Sequence, residues 1–141
     1  MKHVLLDANI PLNMMLDASK RAMPVESTLV LDALANGGFV AYMTPTSFSN
    51  IFYAVRKERG QPEAIRSAGD LLDVVRIVEQ NETVFRNALD SGWPDVEDAG
   101  QYFAAKRMPA ITHLCTTNGK HYKRATGIKV VDPSQLLALL K

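Results

Sequence analysis

Three stretches of this sequence end in side chains that can hold a cation or move a proton. "VLLDANIPLN" (4–13) runs from an apolar segment straight onto Asp7. "PDVEDAGQYFAA" (94–105) sets Asp95 and Asp98 three apart, on one helical face, with Glu97 turned about 100° from Asp98. "TTNGKHY" (116–122) follows another apolar run and offers Thr116, Asn118 and His121. An unpaired ionised group inside a core is costly, so Asp7 needs water, a helix terminus or a cation. Carboxylates brought close together repel one another and stay ionised mainly when a cation joins them.

The elements that would position these residues follow from the hydrophobic pattern. Short β-branched runs alternate with longer helical stretches, which is the pattern of a parallel sheet covered by helices. A first strand is expected over 3–6, then a helix capped by Asn9 with Pro11 in its first turn. "VESTLVLDALANGG" predicts a second helix with Leu29, Val30, Ala33 and Leu34 at helical spacing, ending on Gly37 and Gly38. Strands are expected at 39–44, 74–79, 110–116 and 128–131. Helices are expected over 45–59 (Phe48, Ile51, Phe52 and Val55 inward), 62–72, 81–89, 95–106 (Val96, Ala99, Phe103 and Ala104 inward) and from Pro133 onward. In such sheets ligands sit beyond the carboxyl ends of the strands, where Asp7 and the 116–122 stretch both fall.

At 141 residues with 47% hydrophobic content, the chain suits one domain spanning 1–141. The single Cys115 excludes an internal disulfide, and no apolar run is long enough to span a bilayer. Asp7 and Asn9 interrupt the first apolar stretch and no secretion signal is evident, so a cytoplasmic setting is expected. The net charge of +1 hides a basic segment: no Asp or Glu lies between Asp98 and Asp132, whereas Lys106, Arg107, Lys120, Lys123, Arg124 and Lys129 do. Such a segment can draw RNA or simply be a solvated surface.

The order of parts resembles the PIN-domain family of metal-dependent ribonucleases, many of them toxins of toxin-antitoxin pairs. "LLDAN" matches with Asp7, "EDAGQYFAA" with Asp98, and "TTNGKHY" with Thr116 and Asn118. The resemblance implies a three-layer α/β/α fold with a central parallel sheet of about five strands. It also implies Mg²⁺ or Mn²⁺ as cofactor, RNA as substrate, a homodimer and a small antitoxin as partner. Two positions depart from the family pattern: Asn50 stands where Glu is usual and His121 where Asp is usual. A PIN subgroup has a similar S-x-x-N-x-x-Y helix, matched by Ser47, Asn50 and Tyr53.

The resemblance makes Asp7 and Asp98 the central metal ligands, with Asp95 as a third, and Asn50 and His121 as further members of the catalytic set. Asp95 can equally cap a helix, and His121 can bind a transition metal, contact phosphate or face solvent. Thr116 and Asn118 shape the site or form the turn after the strand. Arg56 and Lys57, beside the Asn50 helix, and Lys120 and Lys123 are candidates for phosphate contact. Tyr53 or Trp93 could stack a base, core packing being the alternative. Glu97 reads as a solvated charge, and His113 with Cys115 is too isolated for zinc. The competing function is a catalytically reduced PIN domain that binds RNA or a protein without cutting, for which Asn50 and His121 argue. An aspartyl phosphatase is set aside because Asn9 replaces the second Asp of D-x-D.

Overall fold

The computed structural model describes residues 1–17, 19 and 21–141. Strands β1 (His3–Leu6), β2 (Val40–Met43), β3 (Val75–Ile77), β4 (His113–Cys115) and β5 (Lys129–Val131) form one sheet in the order β3-β2-β1-β4-β5. Every pairing is parallel. The chain builds outward from β1 to β3, then returns to the other side of β1 for β4. The crevice between the ends of β1 and β4 is therefore a topological switch point, where open α/β sheets place their ligands.

Parallel sheets need both faces covered. On one face Val4 and Leu6 pack with Val30, Ile51, Val55 and Leu136, brought by α2 (Pro24–Ala35), α3 (Pro45–Arg59) and α7 (Pro133–Leu139). On the other, Leu5 and Leu114 pack with Val84, Ala99 and Tyr102 from α5 (Glu82–Asp90) and α6 (Val96–Lys106). The alternation of Val4, Leu5 and Leu6 between the two clusters is the period of two expected of a strand. The three-layer α/β/α architecture expected from the sequence is the one found.

Local details differ from the sequence reading for identifiable reasons. Asn9 does not cap α1 (Asn9–Met15); Ala8 occupies the cap position, and the Asp7 carbonyl accepts the Ile10 N–H at 3.0 Å. Leu29 is exposed, since α2 turns Ser27, Val30, Leu31 and Leu34 inward instead. Gly37, at φ +78°, ends that helix, with the Gly38 N–H bonded to the Ala33 carbonyl. Val96 is also exposed; Ala99 and Ala104 are buried and Phe103 is half-buried against the core as expected, and α6 buries Gln101 and Tyr102 besides. α4 (Gln61–Val74) runs directly into β3. No helix among the described residues is long and apolar enough to cross a membrane.

Candidate active site

The register Leu6↔Cys115 makes the next residues neighbours as well, so Asp7 and Thr116 stand side by side at the switch point. Thr116 Oγ1 donates to Asp7 Oδ2 at 2.7 Å and accepts the Asn118 N–H at 3.0 Å. Asn118 thus reaches the site through its backbone, by fixing the hydroxyl that fixes the carboxylate. Asp7 is buried at 8% exposure, and its other oxygen faces Gln101 Nε2 at 3.5 Å.

Gln101 lies on α6 three residues after Asp98, on the same helical face. Its Oε1 accepts from Ser47 Oγ at 3.0 Å, and its Nε2 donates to the Tyr122 hydroxyl at 2.9 Å. Tyr122 in turn donates to Asp98 Oδ1 at 3.2 Å. All protons therefore point one way, from Ser47 through Gln101 and Tyr122 to the aspartates. Reversing the amide would aim its oxygen at the Asp7 carboxylate, which fixes its orientation. Ser47 is delivered by the first turn of α3, whose cap, Thr44, accepts the Ser47 N–H. Tyr122 ends the 3₁₀ turn Gly119–Tyr122. Burial and the nearby carboxylates raise the Tyr122 pKa far enough to keep the hydroxyl a donor.

Asp98 is held at a cost. Its side chain is 15% exposed, and its Oδ2 is buried with no hydrogen-bond partner. His121 Nδ1 lies 3.4 Å from that oxygen, within ion-pair reach yet not aligned for a hydrogen bond. Burial, then the charge of Asp95 and that of Asp7, push the Asp98 carboxyl above its ordinary range, against the opposing pull of Tyr122 and His121. A carboxylate raised by burial and by neighbouring charge marks a place where a cation or a proton is wanted.

The other candidates fall in three places. Asn50 donates to Glu97 Oε1 at 3.0 Å, and both line a cleft of about 420 Å³ together with Asp7, Asp98 and Gln101. Glu97, read from sequence as a solvated charge, is thus a third carboxylate at the mouth of the cleft. Asp95 caps α6, its Oδ1 accepting the Asp98 N–H at 3.1 Å, and its side chain lines a second hollow shared with Lys120, His121 and Lys123. Arg56 and Lys57 sit exposed in the last turn of α3, Arg56 over the Tyr53 ring at 5.2 Å, and neither lines either cleft. Trp93 is stacked on Tyr102 at 5.1 Å between ring centres and is 9% exposed. His113 and Cys115 are buried on β4, and burial lowers the pKa of the first and raises that of the second.

Gln101 escaped the sequence reading as a site residue. The signal was its polarity inside an otherwise apolar helix, one turn beyond Asp98. Among the described residues no three His, Cys, Asp or Glu side chains are close enough to cage a metal ion. Two converging carboxylates, one with an orphaned buried oxygen, fit instead a hydrated Mg²⁺ or Mn²⁺, which is ordinarily held through one or two carboxylates with water and phosphate completing the shell.

Comparisons with known proteins agree with this topology. The family model of the PIN domain matches residues 3–120. Among solved structures, VapBC2 from Rickettsia felis, bound to a promoter DNA fragment, aligns with a TM-score of 0.66 and 17% identity over 92% of this chain and 98% of that one. VapBC-1 from nontypeable Haemophilus influenzae gives 0.66 and 20% over 94% and 98%. VapC20 from Mycobacterium tuberculosis, a Sarcin-Ricin loop cleaving toxin, gives 0.64 and 14% over 89% and 98%. No curated protein matches the chain.

Proposed function

The chain belongs to the PIN-domain family, and on that premise we propose that it is a metal-dependent endoribonuclease and the toxin of a toxin-antitoxin pair. The observation that carries the reading is the convergence of Asp7 and Asp98 at the switch point, one oxygen of Asp98 being buried without a partner. Binding alone needs no such arrangement. Asp7 and Asp98 would hold Mg²⁺ or Mn²⁺, which when bound would supply a more acidic water and a counter-charge for the leaving oxygen of a phosphodiester.

The protein's own contribution is positional. Thr116 and Gln101 orient Asp7, Tyr122 orients Asp98, and Ser47 locks the amide that joins them. Asp95 holds the first turn of α6 and so the backbone that carries Asp98. Asn50 replaces an acid of the family pattern, yet it tethers Glu97 and keeps a carboxylate at the cleft mouth. His121, half-exposed with its Nδ1 3.4 Å from Asp98, would contact a phosphate oxygen of the substrate. A small antitoxin and a homodimer complete the proposal by resemblance to the family.

The second reading, a PIN domain that binds RNA without cutting, draws on the neutral Asn50 and on the absence of a three-sided cage among the described residues. Incubating the protein with a mixed RNA pool in Mg²⁺, Mn²⁺ or EDTA separates the two. The nuclease reading expects cutting with either metal and none in EDTA; intact RNA in all three, from protein with a cooperative melt, favours binding only.

A further inference from the structure

Asp98 borders two hollows, and the second does not belong to the carboxylate cleft. It measures about 450 Å³, within the range of a site for a small organic ligand. Trp93 and Pro94 form one wall, and Lys120, Lys123 and Arg124 stand around it. None of these three cations makes an ion pair among the described residues, although Asp95 and Asp98 line the same hollow. The three cations outnumber the two carboxylates of the hollow, and the excess positive charge is stabilised by an anion.

The hollow is built with some rigidity. Arg124 Nη1 donates to the Ser91 carbonyl at 3.3 Å, which pins the guanidinium and leaves other N–H groups of the fork free for an anion. The turn it pins depends on Gly92, at φ +75°, where an added Cβ would come within 3.1 Å of that nitrogen. Trp93 is braced from behind by Tyr102 and by the Tyr122 ring, whose centre lies 5.9 Å away edge-on. The same Tyr122 donates to Asp98, so the wall and the carboxylate share one support.

We propose that this hollow receives one nucleotide of a single-stranded RNA, adjoining the nucleotide whose phosphate lies at Asp7 and Asp98. Its base packs against Pro94 and the part of Trp93 that lines the hollow, and its phosphate lies on Lys120, Lys123 and Arg124. Apolar lining together with a group of cations suits the alternation of base and phosphate along a strand. An acidic peptide shares the charge but does not carry a ring with every charge, as a strand does. Asp98 lines both hollows, so a strand leaving the carboxylates has this one beside it. The inference rests on the ribonuclease reading for the identity of the strand, and it excludes Arg56 and Lys57 from its path.

The test is fluorescence anisotropy with a labelled single-stranded RNA of about twelve nucleotides, in EDTA so that no cleavage intervenes. Lys123→Ala/Arg124→Ala should weaken binding about tenfold and flatten the salt dependence by a slope of about 0.7, the amount for one lost phosphate contact on a single strand. Lys120→Ala/Lys123→Ala spares the Ser91 contact and should act similarly, whereas Arg86→Ala, on the exposed face of α5 beside Glu82, should bind as the wild type does. Wild-type binding by both double variants overturns the proposal. So does displacement of the RNA by a polyglutamate of equal charge as readily as by unlabelled RNA. If both double variants lose binding while the wild type cuts nothing with either metal, the hollow stands and the nuclease reading falls. If cutting is metal-dependent while both bind normally, the reverse holds.

Discussion

Asp98→Asn protein is expected to melt about 3 °C higher than the wild type near neutral pH in EDTA, and to lose RNA cleavage on the order of 10²–10³-fold. The two effects have one cause. Burial and the charge of Asp95 and Asp7 raise the folded-state pKa of Asp98 above its ordinary 3.8. Between those two values the folded protein keeps a proton that the unfolded chain has released. Stability therefore falls as pH rises through that window and stays at the lower level above it. Asparagine keeps an oxygen to accept from Tyr122 and removes the charge, so the penalty and its pH dependence both go. A melting series from about pH 3 upward checks the sign: the advantage of Asp98→Asn should shrink as the pH falls below the ordinary carboxylate range.

Gln101→Leu, one turn away, is expected to act in the opposite direction on stability. Leucine has similar bulk but no polar atoms, so Ser47 Oγ loses its acceptor and Asp7 Oδ1 its donor, both in buried surroundings. Leaving such groups unpaired costs about 2–3 kcal/mol in sum, or about 6–8 °C in melting temperature for a chain of this size. Cleavage falls with it, because Asp7 keeps only its Thr116 bond and is free to rotate. Urea denaturation of Gln101→Leu, Ser47→Ala and the double variant checks this. A polar relay predicts that Ser47→Ala adds little once Gln101 is gone.

The contrast between these two residues shows what the sequence could disclose. Asp7 was legible because a strand that ends on a charge is a local anomaly, and local anomalies need no knowledge of the fold. The sheet and its helices were legible for the same reason: alternation in Val4, Leu5 and Leu6 and a cap such as Asp95 are written in adjacent residues. The partners of Gln101 lie 54 residues back at Ser47 and 21 forward at Tyr122, and only the assembled topology brings them together. The link between Asn50 and Glu97, 47 residues apart, is of the same kind. On α6, Ala99 and Ala104 are buried and Phe103 packs against the core as read, whereas Val96 is exposed and Tyr102, stacked on Trp93, was missed.

The central claim is that Asp7 and Asp98 are kept together, at a cost in stability, for a cation. The melting temperatures of wild type and of Asp7→Asn/Asp98→Asn, each measured across a Mn²⁺ titration without RNA, test it most directly. Ligand binding to the folded state alone predicts a wild-type rise of about 4 °C at a tenfold excess over the dissociation constant, with no rise in the double variant. A wild-type melt indifferent to Mn²⁺, or an equal rise in both proteins, would contradict it.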